Sequence, residues 1–409
     1  MKTFRALRNR PFTLLWVGQT TSVFGNALFN IALAWWVLEI TKSAVAMGTI
    51  LVAGTVPLLI FTLFGGVAVD RFPRIRLMVI SDAGRFLLLI LMGLLAYYEL
   101  LAVWHLYVFG ALFGTVSAFF APAFRAVLPE LTPQEDLPSA NSLFSLSVEL
   151  SGIAGPALGA LLIATIGTPF AFILDGLTFL VSTICLIPLL KFDRRLAKQE
   201  EEGESEPSKD ILADLREGLK TVVETPWLWV TILVAGLSNI TYAGAMDVGL
   251  PFLIDEHLEA GVGVLGSFYS ITSVGAVVGA IWLGRFDRFH RRGLRLFGWW
   301  APIGICVMLL GFPIGVAGTL SVAFILGVLN AHLGLVWTNI LQECVPRDLL
   351  GRVSSVDYFG SYLFNPVGLF VGGLAIASFG PAPVFIVGGI ITAILIAMGL
   401  LHPAVRALN

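Results

Sequence analysis

Apolar residues run along this chain in long blocks, each closed by a short polar turn and followed by another block. A helix that crosses a bilayer needs about 20 mostly apolar residues. The blocks therefore predict about twelve spans, at 12–39, 44–69, 77–98, 101–124, 142–166, 169–190, 227–251, 263–284, 295–315, 318–342, 354–379 and 384–403. Only one polar segment is extended, from Lys191 to Thr225. Within it Ile211, Leu212, Leu215, Leu219 and Val222 recur at helical spacing, which predicts an amphipathic helix lying along a membrane face. The acidic run Glu200-Glu201-Glu202-Gly203-Glu204 reads equally well as a solvated tether. The expected organisation is a six-helix bundle over 1–190, a linker over 191–225 and a second six-helix bundle over 226–409: an all-α membrane protein of two pseudo-symmetric halves.

Composition sharpens this reading. The chain has 409 residues, 57% of them hydrophobic and 13% charged, with a mean hydropathy of +0.89. A soluble domain carries roughly 25% charged residues, so the polar surface for one is missing. The net charge of −2 matters less than where the charges lie. With the N-terminus in the cytoplasm, the basic residues of 1–10, Arg71, Arg74, Arg76, Arg125, the linker, 285–295, Arg347, Arg352 and Arg406 fall on the cytoplasmic side, and Lys42 falls outside. That asymmetry predicts cytoplasmic N- and C-termini. The first span is too long for a signal-peptide core and is expected to be retained. Cys185, Cys306 and Cys344 show no metal or redox spacing and read as unpaired packing residues, with no metal site and no cofactor expected.

The two halves repeat each other at an offset of roughly 210–217 residues, as the halves of secondary transporters do. Pro11-Phe12 pairs with Pro226-Trp227, Asp70-Arg71-Phe72 with Asp287-Arg288-Phe289, and Pro133 to Leu137 with Pro346 to Leu349. Charged turns of this kind cannot lie in hydrocarbon, so each marks an exit from the membrane. The turn Gly66 to Arg76 resembles the loop motif G-x-x-x-D-R-x-G-R-x-R of the major facilitator superfamily. Gly66, Asp70, Arg71, Arg74 and Arg76 match, and Pro73 replaces a glycine. Gly152 to Gly159, with Gly155-Pro156, is similar to the antiporter motif of its drug:proton branch. Pro122 to Pro133 and Val345 to Ser354 resemble the macrolide-efflux and enterobactin-exporter members. The resemblance implies alternating access and proton-coupled export. Many members of that branch carry an acid just after the glycine of the first span, where this chain has Gly25-Asn26.

Several residues are candidates for the work. Asp70 and Asp287 suit helix N-termini, where free N–H groups favour a negative charge. With Gly66, Arg71, Arg74, Arg76 and Arg288 they are expected to gate the cytoplasmic side, the alternative being that these charges only set topology. Gln19, Asn26 and Asn30 share one face of the first span. Asn239 and Tyr242 lie in the seventh, His332, Trp337 and Asn339 in the tenth, and Tyr358, Tyr362 and Asn365 in the eleventh. Polar groups in hydrocarbon cost free energy unless paired, so these either line a wet cavity or bond between helices, and His332 also suits packing. Glu149, about two turns into the fifth span, is the acid expected to be buried and to exchange the coupling proton. Asp175, Asp247 and Asp357 are its alternatives, with Asp175 on a peripheral helix and Asp247 and Asp357 near helix ends. Asp82 and Arg85, three apart, read as a structural pair. Gly110 to Gly114 and Gly275 to Gly279 fit close helix packing within the chain.

The expected function is secondary active export of amphipathic or hydrophobic small molecules, multidrug or macrolide-like, driven by protons. A siderophore or lysophospholipid transporter on the same fold is the alternative. The chain has no H-E-x-x-H, G-x-S-x-G or Walker A sequence, so an enzyme or an ATP-driven pump is disfavoured. The repeat suits a carrier better than a channel. The expected partners are the lipid bilayer of a prokaryotic cytoplasmic membrane, protons and an amphipathic cargo, without nucleic acid, and the chain is expected to be a monomer.

Overall fold

A computed structural model describes residues 2–193, 211–283, 291–346 and 349–408; the side chains at 2, 3, 63, 66, 67, 70 and 211–215 are outside that set. Every regular element among the described residues is helical, and twelve helices are long and apolar enough to cross a membrane. In chain order they begin with α1 (Arg10–Thr41), α2 (Ala44–Arg71), α3 (Arg74–Tyr97), α4 (Val103–Leu131), α5 (Leu137–Ile166) and α6 (Thr168–Leu186). A linker helix follows, α7 (Ile211–Glu224). The second set is α8 (Pro226–Ala243, continued to His257), α9 (Val262–Leu283), α10 (Arg292–Leu310), α11 (Gly315–Cys344), α12 (Leu350–Tyr362) with α13 (Asn365–Phe379), and α14 (Pro381–Leu401). Large side chains stay exposed along the outer faces, such as Leu87, Leu91 and Leu94 at 64, 50 and 42% on one side of α3. In water such a surface would aggregate, whereas in hydrocarbon it is solvated.

The chain divides into two units, Met1–Lys42 with Ile50–Ser205 and Ser43–Thr49 with Glu206–Asn409. In unit 1, α1 packs on α5 and α6, and α3 packs on α4 and α6. In unit 2, α8 packs on α12, α13 and α14, and α10 packs on α11 and α14. Each pairing in one unit has its counterpart in the other, so the sequence repeat is a repeat of packing. Small residues permit the close approaches. Gly110 and Gly114 of α4 meet Gly54 of α2, and Gly275 and Gly279 of α9 meet the backbone of Phe324 and Val328 on α11.

Proline sets the breaks, and here the structure corrects several boundaries. The charged turn expected over Gly66 to Arg76 is mostly helix: α2 runs on to Arg71, and only Phe72 and Pro73 separate it from α3. The eleventh span is two helices, because Pro366 has no N–H to give and its ring clashes with the preceding turn. The seventh span passes the expected end at 251, and α8 widens to i→i+5 turns at Gly244–Gly249 and Leu253–His257.

At the N-terminus, a 3-10 turn over Lys2–Arg8 is pinned to the turn between α4 and α5. Arg5 reaches Glu135 at 2.7 Å and Asp136 at 2.8 Å, and the Ala6 N–H donates to Ser139 Oγ at 3.1 Å. The hydrogen bond to Glu135, then the charge of Asp136, holds the Arg5 guanidinium above its ordinary range. The linker helix α7 packs on α12: Arg352 pairs with Glu217, and Gly218 lies against the Arg352 backbone. Cys185, Cys306 and Cys344 are unpaired.

Candidate functional site

The widened stretch of α8 is where unit 2 brings its chemistry together. An i→i+5 turn adds a residue to the helical turn and re-aims the side chains around it, which makes such turns frequent at functional positions. Asp247 sits inside the first of them, ten residues before the end of a 32-residue span, and its side chain is exposed. The sequence placed it near a helix end; the helix instead continues ten residues further. Tyr242, one turn earlier, is hydrogen-bonded to Asn330 on α11. Tyr242, Tyr269 on α9 and Tyr362 on α12 all lie within electrostatic reach of Asp247. Tyr269 and Asn330 were missed in the sequence because neither forms a helical-spacing pattern with the polar residues singled out on its span.

Beside this cluster, Asp357 is half-buried and held from two sides. The Trp337 Nε1–H donates to Oδ2 at 2.9 Å and the Ser361 hydroxyl donates to Oδ1 at 3.4 Å. Tyr358 and Tyr362 are exposed and lie against each other, with ring centroids 4.9 Å apart. Asn239 donates its Nδ2–H to the Ser361 carbonyl at 2.8 Å, which ties α8 to α12. Asn339 and Asn365 are half-buried, and Asn365 opens α13 at the helix break. His332 does not line open space. It is 2% exposed, stacks on Trp299 with centroids 4.2 Å apart, and neither ring nitrogen has a hydrogen-bond partner among the described residues. It is a packing residue, because its position on α11 faces α10.

Unit 1 rearranges the expectations further. Glu149 is exposed, not buried. The buried stripe of α5 runs through Ser139, Leu143, Ser147, Ser151 and Gly155, and position 149 is turned by roughly 200° from Ser147 at 3.6 residues per turn. Asp175, expected on a peripheral helix, has no exposed surface, because α6 packs on both α1 and α3. Gln19 is buried and donates Nε2–H to Ser182 Oγ at 3.2 Å, so it ties α1 to α6. Asn26 on the same helix is half-buried and Asn30 exposed. Asp82 and Arg85 do pair, deep inside the unit.

Of the expected gating residues, Asp287 and Arg288 lie outside the described residues, as do the side chains of Gly66 and Asp70. Arg71 and Arg76 are exposed, while Arg74 forms an ion pair with Glu130 at the end of α4. The N-terminus of α3 is occupied by Asp193, whose Oδ1 and Oδ2 accept from the Ile75 and Arg76 N–H groups, each at 3.0 Å. More than a hundred residues separate these partners, so no local pattern could reveal the cap. A cleft of about 390 Å³ between α8, α13 and α14 is lined almost wholly by carbon and includes neither Tyr242 nor Asp247. It offers nothing to orient a polar ligand.

Comparison with known proteins gives one consistent picture. The family model described as Major Facilitator Superfamily matches residues 15–364. The chain is 27% identical to the multidrug efflux pump Tap of Mycolicibacterium fortuitum, covering 89% of this chain and 88% of that protein. It is 26% identical to macrolide efflux protein A of Streptococcus pyogenes over 89% and 88%, and 25% identical to the enterobactin exporter EntS of Shigella boydii over 96% and 94%. Among solved structures it is similar in fold to a bacterial homolog of the human lysosomal transporter Spinster. That match has a TM-score of 0.68 and 16% identity, covering 99% of this chain and 98% of the other.

Proposed function

The chain belongs to the major facilitator superfamily, and from that premise we propose that it is a proton-driven antiporter that exports amphipathic small molecules by alternating access. In this reading it works in the cytoplasmic membrane of a prokaryote, with both termini in the cytoplasm. The observation that carries the proposal is the acid-and-aromatic face of unit 2: Asp247 exposed within the α8 span, with Tyr242, Tyr269 and Tyr362 around it. Flat aromatic faces suit large, poorly hydrated cargo, and a carboxylate among them favours a cationic or neutral molecule. Among the described residues no Lys or Arg belongs to this face, so an anionic cargo would meet Asp247 and Asp357 without a cation from it. The identities with efflux pumps support export as the direction. Proton exchange falls to the carboxylates Glu149, Asp175, Asp247 and Asp357, and gating to the turns around Asp70 and Asp287.

The experiment is efflux of a lipophilic cation such as ethidium from cells expressing the protein, with and without a protonophore. Wild type should lower cellular ethidium in a protonophore-sensitive way, and Asp247→Asn should lose most of that effect at unchanged protein level. Equal efflux by Asp247→Asn would remove the unit 2 face from the cargo path.

A further inference from the structure

Of the carboxylates named above, Asp175 belongs to an ionisable cluster closed inside unit 1, in which Asp82 and Arg85 have no part in export as described. Asp82 and Asp175 have no exposed surface and Arg85 is 7% exposed. Arg85 is held by Asp82 and two aromatic rings, and its Nε is buried without a hydrogen-bond partner among the described residues. Its Nη2 pairs with Asp82 Oδ1, and its guanidinium lies between the rings of Phe120 at 4.5 Å and Phe179 at 4.4 Å. The second oxygen of Asp82 accepts from the Ser182 hydroxyl at 2.5 Å, and Ser182 in turn accepts from Gln19. Asp175 is what remains. Its Oδ1 accepts from Thr178 Oγ1 at 3.1 Å, while its Oδ2 is buried with no hydrogen-bond partner among the described residues. Arg85 acts on it only through the electrostatic field.

Among the described residues, the elements packed around the cluster bring no further charge. From α1 come Gln19 and Gly25, from α4 Phe120, and from α6 Thr178, Ser182 and the thiol of Cys185. Two carboxylates against one guanidinium leave one negative charge in a closed interior. A buried carboxylate without its own cation, and with one oxygen lacking a donor, is costly. One proton removes the imbalance. We propose that Asp82, Arg85 and Asp175 form a proton-binding site inside unit 1, with the proton held on Asp175. Gly25 seals it from the α1 side, since a Cβ there would collide with Asp175 Oδ1 and Thr178 Oγ1. Movement of α1 relative to α6 would therefore open the site to water. That this proton is the one exchanged during transport rests on the antiport reading; its presence does not.

Infrared spectroscopy of the reconstituted protein, with carbon-13-labelled aspartate, tests both parts. At neutral pH wild type should show a protonated aspartate C=O band that is absent from Asp175→Asn. Asp82→Asn should lose it too, because Arg85 then balances Asp175 alone. A band missing from wild type, or retained in Asp175→Asn, overturns the site; one retained in Asp82→Asn overturns the charge-balance origin. In parallel, ethidium accumulation driven by a pH gradient in proteoliposomes should be lost in Asp175→Asn, and accumulation that persists there overturns its role in coupling. If wild type fails to accumulate ethidium but the bands behave as stated, the site stands and the antiport reading falls.

Discussion

Single residues in this protein matter most where they remove a partner from a closed place. Asp82→Ala takes from the Arg85 guanidinium its hydrogen-bonded partner and leaves only the charge of Asp175, which it does not touch, to balance it, and breaking a buried pair from one side costs up to about 3–5 kcal/mol. Gly25→Ala forces a methyl group into Asp175 and Thr178, an overpacking worth about 1–3 kcal/mol. Both should lower the melting temperature of the detergent-solubilised protein, Asp82→Ala by more. If Asp82→Ala melts like wild type, the pair is not holding the core of unit 1. Tyr242→Phe removes only the hydroxyl that bonds Asn330, a contribution of about 0.5–1.5 kcal/mol. It should lower the melting temperature by less than Asp82→Ala does, and weaken ethidium binding, measured by fluorescence titration, because Asn330 no longer holds the ring in place. Unaltered binding would move the cargo contact away from α8.

Elements carry the next set of consequences. Among the contacts by which the linker helix α7 rests on α12 are an ion pair, a close backbone approach and the apolar packing of Val222 in one cluster with Val353. Glu217 is half-exposed, and an ion pair of that kind is worth about 0–1 kcal/mol. Gly218 is different, since a Cβ would come within 2.9 Å of the Arg352 carbonyl. Glu217→Ala should therefore leave the linker as resistant to limited proteolysis as wild type, while Gly218→Val should expose it to cleavage. The reverse order would show that charge, not fit, docks the helix. Fold class and span number were legible because an apolar block long enough to cross a bilayer has few other meanings. The repeat was legible through its turns. Burial was not. Asp175 and Glu149 both sit about two turns into an apolar block, yet one is enclosed and the other exposed, and the packing of α6 on two neighbours and the stripe of α5 separate them. Helical spacing also could not show that α8 widens at Asp247, because a regular 3.6-residue period contains no sign of an added residue in the turn.

At the scale of the whole molecule, two units with matching helix pairings carry different polar chemistry. Unit 1 closes two acids and one arginine inside its core, whereas unit 2 carries an exposed acid, Asp247, with Tyr362 exposed and Tyr242 and Tyr269 half-buried near it. Such a division suits an exchanger in which one half holds the driving ion and the other meets the cargo. The most direct measurement follows ethidium in sealed proteoliposomes containing the purified chain, with a pH gradient imposed and the membrane potential clamped by potassium and valinomycin. The account predicts accumulation of ethidium against its own gradient in the proton-rich compartment, reversal when the pH gradient is reversed, and collapse on addition of a protonophore. Ethidium that merely equilibrates, at a rate indifferent to the pH gradient, would contradict it.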